Sequence, residues 1–265
     1  MIDIHCHILP GMDGGTDSLE ESIIMAKNTV RQGIHTVIAT PHYRKEMNQS
    51  MAEDIVGATN YLNGKLKQEN IPIRILPGQE VRMHDELIID LEKGIVLPLN
   101  ASRYVLLEIP TNRVPHYTSQ LLFDMQIAGY RPIIAHPERN QELLKQPNVL
   151  YQFVKSGALM QISASSIVGL QGRKIKNFTE EMIDANLAHF IASSVHHSNR
   201  KQQFFMKEAF HYISKQFGKR LAYELKENSE KVVNGDSVVT ETPNKIKGKK
   251  SWLLIKNPLL TYKNR

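Results

Sequence analysis

Seven residues of metal-ligand type recur in this sequence at one kind of place, the carboxyl end of a short apolar run. His5 and His7 end "MIDIHCH", His42 ends "IHTVIATPH", Glu80 closes "IPIRILPGQE", Glu108 ends "YVLLE", His136 ends "PIIAH" and His196 lies just beyond "AHFIASS". One imidazole at a strand end is more often a satisfied polar side chain, and His35, His84, His116, His189 and His211 are read that way. The repeated coincidence is different, because clustered imidazoles and carboxylates taken out of water need a compensating charge. In an extended strand residues i and i+2 project to the same side, so His5 and His7 can share one ion while Cys6 faces away. Mixed imidazole and carboxylate donors suit Mn, Zn or Fe, and the single cysteine excludes a cysteine-based zinc site.

Three residues after His136 stands Arg139, in "IIAHPERN", whose planar guanidinium can grip two oxygens of a phosphate. Metals beneath an arginine read as phosphoester hydrolysis, the metals supplying hydroxide and the arginine stabilising transition-state charge. A cysteine nucleophile acting on a phosphate would need an arginine about six residues downstream. That position after Cys6 is Met12, so Cys6 is read as a small buried strand residue. "GMDGG" has neither the lysine nor the spacing of a nucleotide-binding loop.

The elements that must carry these groups alternate along the chain. "MIDIHCH", "IHTVIATPH", "IPIRILPGQE", "RYVLLEIP", "RPIIAHPERN", "ALMQIS" and "AHFIASS" read as strands. Helices are predicted in "DSLEESIIMAKNTVRQG" (capped by Asp17 or Ser18), "MAEDIVGATNYLNGKLKQEN" and "PHYTSQLLFDMQIAGY", near 141–157, within 173–186 and from about Lys201. Apolar strands separated by helices indicate a parallel sheet covered on its faces, and about seven such units predict a (β/α) barrel or a doubly wound sheet. In a barrel the carboxyl ends of the strands share one face, so distant ligands converge on one mouth.

Composition narrows the setting. At 41% hydrophobic and 23% charged, the 265 residues are ordinary for a globular chain. One cysteine and no signal-like start predict a cytoplasmic protein. The net charge of +6 comes from Lys245, Lys247, Lys249, Lys250, Lys256, Lys263 and Arg265; without these seven the remainder carries −1. A basic tail on a near-neutral domain argues against nucleic acid. We read residues 1–233 as the barrel domain and 234–265 as a poorly ordered basic extension, solvated rather than membrane-bound despite "KIKGKKSWLLIK".

The runs "MIDIHCHILPG", "IHTVIATPHY", "LPGQEVR", "YVLLEIP", "GYRPIIAHPERN" and "GALMQIS" strongly resemble the PHP-family, manganese-dependent phosphotyrosine-protein phosphatases of bacterial capsule and exopolysaccharide operons, over Met1 to about Glu230. The resemblance implies a distorted (β/α)7 TIM-like barrel, up to three Mn2+ ions and hydrolysis of phosphotyrosine on a partner tyrosine kinase. By the same resemblance His5, His7 and Glu80 hold a first ion. Glu80 bridges to a second, held also by Glu108 and His136, and His42 and His196 belong to the third. Arg139 binds the substrate phosphate, with Arg200 or Lys201 as an approximate second phosphate ligand.

Two ligands of that pattern are missing. Family members read "DDG" where this chain has Asp13, Gly14 and Gly15, and "SDAHN" where it has "SSVHH", which puts Gly14 and Ser194 at aspartate positions. Losing two carboxylates is expected to weaken the first and third ions most. Asp13 is the adjacent carboxylate that can substitute at the first position, and His197 stands similarly near the last strand. The competing reading, carried by Gly14 and Ser194, is a catalytically silent relative that binds the phosphorylated kinase as a regulator. A phosphatase of small metabolites such as histidinol phosphate is the third.

Overall fold

The computed structural model describes residues 1–12, 14–45, 51–196 and 204–246. Among these residues the strands pair only in parallel. β1 (Ile2–Cys6), β2 (Thr36–Ala39) and β4 (Arg74–Pro77) form a three-stranded sheet in the order β1-β2-β4. β3 (His42–Tyr43), β5 (Glu80–Arg82), β6 (Tyr104–Glu108), β7 (Arg131–Ala135), β8 (Leu159–Ser163) and β9 (Phe190–Ala192) form a six-stranded sheet in that order. The predicted α/β class with a parallel sheet holds, as two sheets rather than one.

Short breaks carry the chain from one sheet to the other. Thr40 and Pro41 separate β2 from β3, and Gly78 and Gln79 separate β4 from β5. Gly78 is needed there, because a Cβ would stand 2.8 Å from Ile38 Cγ2 and 3.0 Å from Leu99 Cδ2. Backbone bonds also tie the sheets at their other margin, Ser194 N–H donating to His5 O at 3.0 Å and His7 N–H to Val195 O at 2.9 Å.

Both sides of the strands are apolar because both are covered. A small cluster between the sheets takes Ile4, Ile38, Leu76, Leu106, Ile133, Leu159 and Phe190, while Val37, Val105, Ile134 and Met160 pack outward in the larger cluster shared with the helices. β1 changes sides partway: Ile2 and Ile4 belong to the small cluster, but Cys6 and Ile8 to the large one. The register slips between Asp3 and Cys6. This bulge turns His5 and His7 onto the enclosed side that simple alternation from Ile2 would have denied them.

The helices follow their signals. α1 (Leu19–Arg31) starts at Ser18, whose hydroxyl accepts from Glu21 N–H at 3.2 Å. α2 is Ala52–Gln68, α3 Leu87–Glu92 and α4 Thr118–Ile127. The helix expected near 141–157 is two, α5 (Gln141–Lys145) and α6 (Pro147–Lys155), because Pro147 cannot continue the first and instead opens the second. α7 is Ala164–Ile167 and α8 Arg173–Asp184. The last helical stretch is also two, α9 (Met206–Gln216) and α10 (Lys219–Asn234), parted by Gly218 with φ +99°.

The first part of the expected extension is attached. Tyr104 Oη donates to Asp236 O at 2.6 Å and accepts from Val238 N–H at 3.0 Å, and Asn244 N–H donates to Ala185 O at 2.8 Å. Composition had suggested a solvated segment, but this strap lies across the end of the strands opposite the ligands. The basic residues from Lys247 onward lie outside the described residues.

One buried histidine makes stability depend on pH. His189, just before β9, accepts from Met160 N–H through Nδ1 at 3.0 Å. Burial, with Arg131 adding to it, pushes its pKa from 6.5 down to about 4. Below pH 6.5 the unfolded chain takes up a proton that the folded chain refuses, so stability falls as pH drops and levels off only below the folded value. His189 alone should remove about 2 kcal/mol between pH 7 and pH 5. Urea unfolding at the two pH values checks this: His189→Leu should lose less on acidification than the parent.

Candidate metal centre

Glu80 is the hub of the site. Its fully buried carboxylate places Oε2 3.1 Å from His5 Nε2, 3.2 Å from His7 Nε2 and 3.1 Å from His42 Nδ1, with Oε1 2.9 Å from His136 Nε2. Four strands thus meet on one side chain. β1 brings His5 and leads directly into His7, β3 brings His42 and β5 brings Glu80, while His136 follows β7 in a left-handed turn (φ 35°) enforced by the Pro137–Arg139 turn behind it. His196 completes the group, its ring stacked on His7 with centroids 3.9 Å apart.

Two sets of donors are close enough to hold an ion each: His5, His7 and Glu80, and His7, His42 and His196, with ligand atoms within 4.8 Å of one another in each set. The protonation states suit that role. Burial lowers His7 to about 4 and His196 to about 2, where a second positive charge beside His7 is disfavoured as well, so both are neutral with lone pairs available at neutral pH. Burial would raise Glu80, but the charge of His5 and the bonds from His136, His5 and His7 hold it well below the usual carboxylate range. Burial likewise lowers His5, and here Glu80 outweighs it, so the net shift is upward.

Orphaned atoms test the fit of a metal. Among the described residues His7 Nδ1 and Glu108 Oε2 are buried without a hydrogen-bond partner, and His42 Nδ1, though near Glu80, lies outside hydrogen-bonding geometry. The two imidazole nitrogens belong to one donor set, and leaving both unsatisfied would be costly in a finished core but is what a cation-binding site requires. The residues present fit divalent metal.

Glu108 stands apart from the two donor sets. Its Oε1 pairs with Arg82 Nη1 at 2.9 Å, although Glu108 lines the same cavity of about 210 Å3 as His42, His136, Arg139 and His196. Arg139 reaches this cavity as the spacing from His136 predicts. Its Nη2 donates to Ser165 Oγ at 3.1 Å, and its Nε stands 4.0 Å from Glu138 Oε1 with no hydrogen-bond partner among the described residues. Asp13, His197, Arg200 and Lys201 lie outside the described residues.

The aspartate positions can be located. Gly14 (φ +75°) sits directly on the three-histidine set: a Cβ there would be 2.8 Å from His42 Cδ2, 3.0 Å from His7 Nδ1 and 3.2 Å from His196 Nδ1. Ser194 (φ 50°) is on the other side, with Oγ 3.4 Å from His5 Nδ1, 3.2 Å from Ser163 Oγ and 3.3 Å from Gln161 Nε2. Both substitutions therefore touch the ligands themselves.

Several supporting residues were not singled out from sequence. Gln161 donates through its amide to Ile162 O and Ser194 Oγ, so its oxygen accepts from His5 Nδ1 at 2.8 Å and leaves Nε2 facing the site. Asp3 Oδ1 accepts from the backbone N–H of His5 and of Ser193, fixing the bulge. Glu138 accepts from Ser163 N–H and Ser166 Oγ beneath Arg139. A polar residue inside an apolar strand ("MIDIH", "LMQIS") was the available signal.

The family described as capsular polysaccharide synthesis, CpsB/CapC, matches residues 1–234. The tyrosine-protein phosphatase YwqE of Bacillus subtilis (strain 168) is 42% identical over 250 residues, covering 94% of this chain and 98% of that protein. The putative tyrosine-protein phosphatase CapC of Staphylococcus aureus is 35% identical, covering 95% and 98%. A crystal structure from work on YwqE of B. subtilis and CpsB of Streptococcus pneumoniae, described as unique metal-dependent tyrosine phosphatases, superposes with a TM-score of 0.91 at 42% identity. It covers 94% of this chain and 100% of that one.

Proposed function

The chain belongs to the CpsB/CapC family of capsular polysaccharide synthesis, and from that premise we propose that it is a metal-dependent tyrosine-protein phosphatase. The observation that carries the reading is Glu80 at the meeting point of four imidazoles, with Arg139 on the adjoining cavity. His5, His7, His42, Glu80, His136 and His196 would hold the metal, with Glu108, which lines the same cavity, as a further carboxylate ligand. Manganese suits these nitrogen and carboxylate donors, with Fe or Zn as substitutes. The two margins of the sheets, tied at His5 and His7, support a single distorted (β/α)7 barrel with the site at its mouth.

When bound, divalent metal supplies an activated water and neutralises phosphoryl charge. The chain's own residues do the rest. Gln161 and Glu80 orient His5, and burial keeps His7 and His196 unprotonated. Arg139 receives the phosphate with guanidinium N–H groups that Ser165, bonded to Nη2, leaves available. The natural substrate is a tyrosine-phosphorylated protein, in our reading a bacterial tyrosine kinase controlling capsule synthesis. No helix among the described residues is long and apolar enough to cross a membrane. A cytoplasmic setting is our reading, supported by the free, buried thiol of Cys6.

The deciding experiment is metal content per chain together with Mn2+-dependent hydrolysis of a tyrosine phosphopeptide. Activity that rises with Mn2+ and disappears on chelation is expected; no hydrolysis at excess Mn2+ would overturn the proposal. Gly14 seated on the histidines favours the second reading, a silent kinase-binding relative. Ser194→Asp returns a carboxylate beside His5 and should tighten Mn2+ by roughly 10-fold. An unaltered chain that is inert, with activity arising only in this variant, selects the silent reading.

A further inference from the structure

The elements beyond β8 carry charge that the phosphate site does not use. Ser165, which holds Arg139, lies on α7, and Val168 follows it three residues later on the same turn, so the two are neighbours about 5–6 Å apart. At Val168 begins a groove of about 640 Å3, bordered by Lys176 of α8 and by Lys207, His211, Tyr212 and Lys215 of α9. Among its lining residues only Glu208 is acidic. Among the described residues no carboxylate stands within ion-pair distance of Lys176, Lys207 or Lys215, whereas Lys27, Lys45 and Lys231 elsewhere are paired.

Lys176 is nonetheless held in place. Its ammonium lies 4.3 Å above the Tyr212 ring, and its stem passes where a Cβ on Gly169 would be 3.2 Å away. Glu180, the nearby acid, is engaged by the Tyr212 hydroxyl at 2.6 Å. The floor is thus apolar and aromatic, and the rim is cationic. Lys207, His211 and Lys215 stand at i, i+4 and i+8 of one helix, a row spaced by about 6 Å. In an extended peptide alternate side chains point the same way at about 6.6 Å. The two spacings match closely enough for one strand to lie along the row.

Resting on the phosphatase reading, we propose that this groove receives the residues flanking the phosphotyrosine, and that it selects an extended acidic segment with carboxylates at alternate positions. The phosphate then sits under Arg139 while the flank runs over Val168 onto α9. A peptide is favoured over nucleic acid or a membrane because Lys176, Lys207 and Lys215 flank one short groove, on a chain of near-neutral balance before Lys245.

The test uses the full-length, Mn2+-loaded protein with three substrates: a small aryl phosphate, a phosphotyrosine peptide with alternating acidic flanks, and the same peptide with neutral flanks. The acidic peptide should be preferred over the neutral one by roughly 10-fold in kcat/KM, the size expected of two exposed ion pairs. The preference should lie in KM and shrink at high salt. Lys207→Glu with Lys215→Glu should abolish it, leaving the aryl phosphate and the neutral peptide unchanged, and Lys67→Glu on α2 should do nothing.

Equal rates for the two peptides in the parent, or a double variant that slows all three substrates alike, would overturn the proposal. Should no substrate be hydrolysed, the phosphatase reading fails by itself. Fluorescence anisotropy of the acidic peptide then tests the groove, tighter binding to the parent than to the double variant supporting it and equal binding refuting it. Capture of anionic vesicles dependent on the same lysines, with no peptide preference, would refute it as well.

Discussion

Glu80→Gln is expected to strip bound divalent metal from the protein and to lower phosphotyrosine hydrolysis by roughly 10³-fold, the loss of several kcal/mol of charge stabilisation. The substitution keeps shape and volume but removes the one charge that His5, His7, His42 and His136 all face. An amide also has only one acceptor oxygen to serve them. The folded state should survive. Burial lowers the His5 pKa and Glu80 is the largest cause holding it up, so without that charge burial favours the neutral ring rather than an unpaired buried ion. Unchanged circular dichroism alongside lost metal would separate a failed site from a failed fold. Glu108→Gln should be milder, since Glu108 divides its oxygens between Arg82 and the cavity. Full metal content and activity in Glu80→Gln would remove the basis for a centre built on this residue.

Arg139→Ala is the second large effect. It should lower kcat/KM by about 10²–10³, the usual result of removing one donor from developing oxyanion charge. Metal content should stay at the parent level, because no Arg139 atom belongs to the two donor sets. Arg139→Lys should recover little, an ammonium lacking the planar fork that meets two phosphate oxygens at once. Ser165→Ala, which removes the hydroxyl holding Nη2, should raise KM a few-fold and leave kcat close to the parent. Metal loss in Arg139→Ala, or equal activity, would argue that the guanidinium has a structural task instead.

Much of this molecule can be read from residue order alone. The apolar runs and helical stretches place the strands, the cap at Ser18 starts α1, and ligand-type residues at strand ends announce a metal site at one rim. The side-by-side projection of His5 and His7 needs only the pleat of a strand. These features are local: backbone sterics, side-chain period and capping act over a few residues and are written in the sequence.

What tertiary structure decided is which of those residues touch. The bulge between Asp3 and Cys6 turns His5 and His7 into the enclosed space, and it exists because Asp3 bonds to Ser193, 190 residues away. Glu80 rather than Glu108 became the hub because β5 sets it opposite His42, while Arg82 draws Glu108 aside. Gln161 behind His5, Ser165 behind Arg139 and the strap over Tyr104 were likewise hidden from spacing. Contacts across such separations follow from strand register and from the packing of every element around it, quantities that no stretch of the chain carries by itself.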